Sequence, residues 1–248
     1  MLYPEKLGTN LFFGVAEKIR ISQKWAVFCT AIFLVSVPVF FQAPMVRQLP
    51  WLSLAMTGFW LWLSLKLLKD RDTHIWGDLL LGFTWSWFTG SIYWGWLRQE
   101  PLLHLPVEAI CVPFALWCLA HKREMIGNCF YLGSLLGTAV TDGYFYITGL
   151  IPYWRRLMIV EPDMALEVFQ DALTQVRTSW GIIWIFVLVG ILLLFGLVPL
   201  QSNKLYFWTF GAAVLSTILV SRRSSFAWLL SRGTSLSKRI DVHTILPF

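Results

Sequence analysis

Charge is what this sequence has least of. Only 14% of its 248 residues are Asp, Glu, Lys or Arg, where an ordinary soluble domain carries about a quarter. That deficit excludes a water-soluble globule. Cysteine is sparse and unpatterned: Cys29, Cys111, Cys118 and Cys129 lie inside apolar runs, and none forms a CxxC. Cysteines so placed behave as small hydrophobes, so neither a disulfide nor a zinc site is expected. None has a visible base or electropositive setting that would make it a nucleophile. HExxH, P-loop, GxSxG and dinucleotide fingerprints are all missing, and with them the chemistries those motifs announce. No repeat or low-complexity block stands out. The first apolar run has no small-residue cleavage site behind it and reads as a retained span, not a cleaved signal peptide.

What the sequence has in quantity is apolar and aromatic surface. Hydrophobic residues make up 57% of the chain, with 15 Trp and 19 Phe among them, and the mean hydropathy is +0.63. The apolar residues gather in runs of membrane-spanning length. These predict an all-α fold, a polytopic transmembrane helix bundle of six to seven segments. The segments fall at about 25–46, 48–65, 76–97, 102–120, 126–151, 179–200 and 205–221. Of these, 102–120 is the weakest, since it holds His104, Pro106, Glu108 and Pro113. The segment 126–151 is interrupted by Asp142 and by Gly133, Gly137, Gly143 and Gly149. That composition predicts a break or a re-entrant turn, which is tolerated at membrane depth only where protein or water satisfies the backbone.

Between the fifth and sixth segments lies a polar insert. Leu166, Phe169, Ala172, Leu173 and Val176 recur there at helical spacing behind Pro162 and a candidate N-cap, Asp163. A short amphipathic surface helix is expected over about 163–177, packed on the protein's own spans or docking a partner. The tail, 222–248, is basic and Ser-rich and suits the surface of an anionic leaflet.

The net charge of +6 does not indicate nucleic acid, because the Lys and Arg cluster beside apolar runs as topology signals. Seven simple crossings would leave ten basic residues on each side. If 126–151 enters and leaves on one face, the division becomes 17 to 3; if 102–120 does so instead, it is 15 to 5. Six crossings with both termini cytoplasmic are therefore favoured over seven.

Ionisable residues inside spans are the candidates for function. Asp78 lies near a segment end, where it can reach the interface. His104 and Glu108 are spaced i, i+4 and share a face if the stretch is helical, although Pro106 between them complicates a helix. Such a pair suits a proton relay, a metal or the magnesium of a chlorin, or a hydrogen bond near the headgroups. Asp142, with Thr141 beside it and Arg155 and Arg156 downstream, suits a polar cavity. The Gly133-x-x-x-Gly137 spacing permits close helix contact. Trp76, Trp85, Trp87, Trp94 and Trp96 are either interfacial anchors or a wall for an acyl chain, a quinone or a pigment.

Two resemblances accompany these readings. In order, PVFFQAP, PWLSLAMTGFWLWLSL, a basic loop, GFTWSWFTGSIYWGWL and LGTAVTDGYFYITGLIPYW are similar to the membrane domain of bacterial apolipoprotein N-acyltransferases. The likeness covers about residues 36–151. That family's catalysis resides in a nitrilase-like domain for which this chain has no room, so no catalytic residue carries over. What it implies is a lipid-facing cavity alone. Through stretches such as GLIPYWRRLM and its Trp-rich make-up, the chain also resembles an uncharacterised family of cyanobacterial integral membrane proteins. That implies a thylakoid or plasma membrane.

Together these features predict a non-catalytic membrane accessory or assembly factor, serving photosynthetic membrane complexes. The alternative is a small transporter or lipid-handling protein with a cavity near Asp142 and Glu108. Expected contacts are the lipid bilayer and subunits of such a complex; chlorophyll, quinone and lipid are the candidate ligands.

Overall fold

The computed structural model describes residues 5–160 and 162–233, and side chains at 21–160 and 164–219. Every regular element among the described residues is helical. Helix α1 (Glu5–Val37) runs through a π turn at Pro38–Gln42 into α2 (Ala43–Gln48). The missing N–H of Pro38 disrupts the α ladder, and the wider turn is closed by Ala43 N–H donating to the Pro38 carbonyl. Then come α3 (Pro50–Leu68) and α4 (His74–Ile92), the latter ending in a second π turn, Tyr93–Leu97.

Of the two segments expected to be irregular, 102–120 is the broken one. Residues 101–120 divide into a 3-10 turn at Pro101–Leu103, α5 (His104–Glu108), another 3-10 turn at Ala109–Cys111, and α6 (Val112–Ala120). Pro101, Pro106 and Pro113 each fall in the first turn of a piece, where a missing N–H costs nothing. By contrast α7 (Met125–Ile147) is continuous. The re-entrant reading of 126–151 is thereby corrected: the helix runs through Gly143 unbroken, and Gly133 and Gly137 serve contact and not bending. A Cβ on Gly133 would meet the Phe210 carbonyl at 2.7 Å, and one on Gly137 would meet Thr217 Oγ1 at 2.1 Å. Among the described glycines, Gly149 alone has a positive φ (+72°), just past the helix end.

The insert holds two helices where one was expected. They are α8 (Ile151–Ile159) and α9 (Pro162–Val176). Helix α9 begins ahead of Asp163, and that residue's side chain lies outside the described residues. After these come α10 (Ser179–Leu197) and α11 (Leu205–Gly233). The tail expectation for 222–248 falls on side chains, and beyond Gly233 on backbone, outside the described residues.

Among the described residues, four stretches are long and apolar enough to cross a membrane: Ile21–Gln48, Pro50–Leu68, Pro101–Ala120 and Ser179–Gln201. The bundle is thus built as an integral membrane protein requires. The more polar α4 and α7 occupy its centre, packed on each other and on α11. The core there is Leu79, Phe83, Trp87, Phe130, Ala212 and Ala213.

Cross-links between loops define two faces. On the first, Lys24 Nζ donates to Asn203 at 3.0 Å, Asp78 accepts from Ile126 and Gly127, and Thr209 Oγ1 donates to the Ile126 carbonyl at 3.1 Å. On the second, Arg155 binds Glu100, the Trp154 indole donates to the Arg98 carbonyl, and that of Trp180 donates to the Ile147 carbonyl. Between these faces the chain makes seven helical passes. Lys24 lies on the first face, and the far end of α11 lies towards the second. The break that the even-numbered count placed in 126–151 falls instead in 101–120.

Candidate functional site

The broken pass brings His104 to the head of α5, against the last third of α7. With Pro106 in the first turn, α5 stays helical long enough for the i, i+4 spacing to work. His104 Nε2 lies 3.2 Å from Glu108 Oε1. On its other side, Nδ1 lies 3.0 Å from both carboxylate oxygens of Asp142. One imidazole thus bridges two carboxyl groups that are 34 residues apart in sequence. All three side chains are largely withdrawn from solvent, with relative exposures of 9% for His104, 6% for Asp142 and 19% for Glu108. At 1.5 Å per residue, Asp142 sits about 7 Å inside the end of α7.

Aromatic rings enclose the imidazole. Tyr93 lies across it with ring centroids 4.2 Å apart, Trp94 stands edge-on at 5.5 Å and Trp154 tilts at 5.7 Å. Trp94 and Trp154 stack on each other 14° from parallel. Such faces favour a cationic ring. Thr138, one turn before Asp142 on α7, hydrogen-bonds the Glu108 carboxyl, and the Tyr131 hydroxyl donates to the Glu108 backbone carbonyl. The Tyr93 hydroxyl is fully buried with no hydrogen-bond partner.

His104, Glu108 and Asp142 therefore come together, while the other candidates do not. Thr141 donates to the Gly137 carbonyl of its own helix at 3.0 Å. Arg155 is exposed and bound to Glu100 at 2.7 Å. Arg156 is exposed too, 3.9 Å from Asp171. Hydrogen bonding to Arg155 holds the Glu100 carboxyl below the usual range. That contact is therefore intact above the ordinary carboxylate range and is lost only as pH falls through the depressed value. Asp78 is 4% exposed and caps the N-terminus of α7. Both His104 nitrogens face carboxyls, which leaves neither turned to a metal or a chlorin. Among the described residues no group of three His, Cys, Asp or Glu is arranged to hold a metal ion.

A cavity of about 130 Å³ adjoins the cluster, but it is apolar where a polar one was expected around Asp142. Its walls include Phe145, Trp154, Leu157, Phe169, Ala172 and Leu173, from α7, α8 and α9. Trp154 belongs to both the cavity wall and the imidazole's enclosure. Sequence reading missed Tyr93, Thr138 and Trp154. The signal for Thr138 was present in its i−4 spacing from Asp142. Nothing local linked Tyr93 or Trp154 to His104, because tertiary packing alone does so.

Searches of curated proteins and of solved structures return no match. A family model does match, over residues 31–229, with the description "Protein of unknown function (DUF3120)". That span covers most of the chain and contains the whole cluster and its aromatic enclosure. By that match the chain belongs to the DUF3120 family.

Proposed function

We propose that this protein is a membrane carrier or lipid-handling protein whose ligand is an amphiphile. Its apolar part occupies the α7–α8–α9 cavity, and its polar part is served by the His104 cluster. The observation that carries this reading is the pairing of a buried ionisable cluster with an apolar cavity through one shared ring, Trp154. Ionisable groups among membrane-length apolar helices are costly and are retained where they act. The likeness of residues 36–151 to the lipid-facing membrane domain of N-acyltransferases supports a lipid or isoprenoid quinone as the amphiphile. Mild-detergent purification with a mass-spectrometric census and an absorption spectrum tests it. The unmodified protein is expected to retain about one amphiphile per chain, and A172F, which fills the cavity, to lose it at least fivefold. Equal retention by both would remove the cavity from the function.

A second reading, an accessory or assembly factor for photosynthetic complexes in a cyanobacterial thylakoid or plasma membrane, is favoured by one feature. The insert exposes Ile159 at 74%, Met164 at 52% and Leu166 at 54%, an apolar surface suited to a partner's spans. Stoichiometric photosynthetic subunits or bound chlorophyll in the same eluate would favour it over the carrier.

A further inference from the structure

We infer that the Glu108–His104–Asp142 cluster is a proton site, in which one of the two carboxyls is a neutral acid at neutral pH and its proton is the one the molecule takes up and releases. The inference rests on the carrier reading and names the ion coupled to it.

Two carboxylates and an imidazolium would together carry a net charge of −1. The cluster is buried, and an uncompensated buried charge is strongly unfavourable. Among the described residues, the groups packed around it supply no cation. From the turn after α4 comes Tyr93, from α7 come Tyr131 and Tyr146, and from the broken pass comes Cys111. Arg155, on the neighbouring rim, is committed to Glu100 at 2.7 Å. One added proton makes the cluster neutral. Whichever way that proton is then shared, at least one carboxyl is a carboxylic acid.

Hydrogen-bond geometry accommodates the added proton. The imidazolium donates from Nδ1 to Asp142 and from Nε2 to Glu108 Oε1. The extra O–H on Glu108 then points to the Thr138 hydroxyl, which already contacts that carboxyl. When this proton leaves, the imidazole can redistribute the remaining two. If Glu108 gives an O–H to Nε2, then Nδ1–H faces Asp142. If the proton on Nε2 stays there, that on Nδ1 passes to Asp142. Each transfer breaks one O–H or N–H bond and forms another over 3.0–3.2 Å, with no other reactant required.

Infrared spectroscopy of the protein in nanodiscs reads this directly. At neutral pH the unmodified protein is expected to show the carbonyl band of a buried carboxylic acid. E108Q and D142N should each remove it, because the single carboxyl left in either variant is neutralised by the imidazolium. D78N, at the other buried aspartate, should leave it in place. Separate carboxyl isotope labelling of Glu and of Asp assigns the band in the unmodified chain even if a variant does not fold. Loss of the band in either variant, or its shift with a label alongside an unchanged D78N spectrum, supports the site. Its absence from the unmodified protein, or its survival in both variants, overturns it. The amphiphile census is a separate readout, so a failed cavity and a failed proton site are distinguishable.

Discussion

Two backbone N–H groups at the start of α7 point to the Asp78 carboxylate, from Ile126 at 2.9 Å and Gly127 at 2.8 Å. The first N–H groups of a helix have no partner in their own helix, and here α4 supplies one from outside. D78A should lower stability by about 1–3 kcal/mol, the cost of stranding buried donors. D78N, which keeps one acceptor oxygen, should cost less. Thermal unfolding in detergent checks both, and equal midpoints for unmodified protein and D78A would mean the cap is idle. At this scale the sequence marks which residues are expensive to bury but not what they meet. Asp78, Glu108 and Asp142 all stand out as acids in apolar runs. Only the fold separates them, giving Asp78 two amides and the other two a shared imidazole. The arginines mislead for the converse reason: their nearness to Asp142 in sequence is undone by α8, which carries them outward.

Helix α7 packs against α4, α6, α10 and α11, and its glycines are not equivalent. A Cβ on Gly127 would lie 2.0 Å from the Asp78 carbonyl oxygen, whereas one on Gly143 would meet nothing within 4 Å. G127A should therefore push α4 and α7 apart and destabilise by several kcal/mol, beyond the ~1–3 kcal/mol typical of overpacking. G143A should be neutral or stabilise by about 0.5–1 kcal/mol through reduced backbone freedom. Parallel unfolding curves test the pair, and similar behaviour of both would contradict the packing. This contrast also explains what the sequence made legible. The apolar runs, which report burial and length, announced the helical passes clearly. Glycine in such a run has two meanings, a bend or a close contact, and only the neighbour decides between them. Proline is less ambiguous: three of them in 101–120 did divide that pass, each at the head of a piece.

For the whole molecule, the seven passes place residues 69–73 and 121–124 on one face and residues 98–101 and 148–178 on the other. Introduced cysteines K122C and R177C, in a background lacking the exposed Cys29, should react with an impermeant thiol reagent from opposite sides of a sealed vesicle. Labelling from one side would restore the even-numbered arrangement. Seven passes divide the Lys and Arg equally, so the rule of positive loops favours the even-numbered arrangement, and the labelling decides between the two. The order of the chain carries a last implication. Thr209 of α11 binds the carbonyl of Ile126 across 83 residues, and Lys24 waits for Asn203 across 179. At ribosomal rates of about 5–20 residues per second, the face of α7 that meets α11 lacks its partner for roughly 4–17 s. Packing of α11 on α7 is therefore completed only once the insert and α10 have been made, which places it among the last steps of assembly.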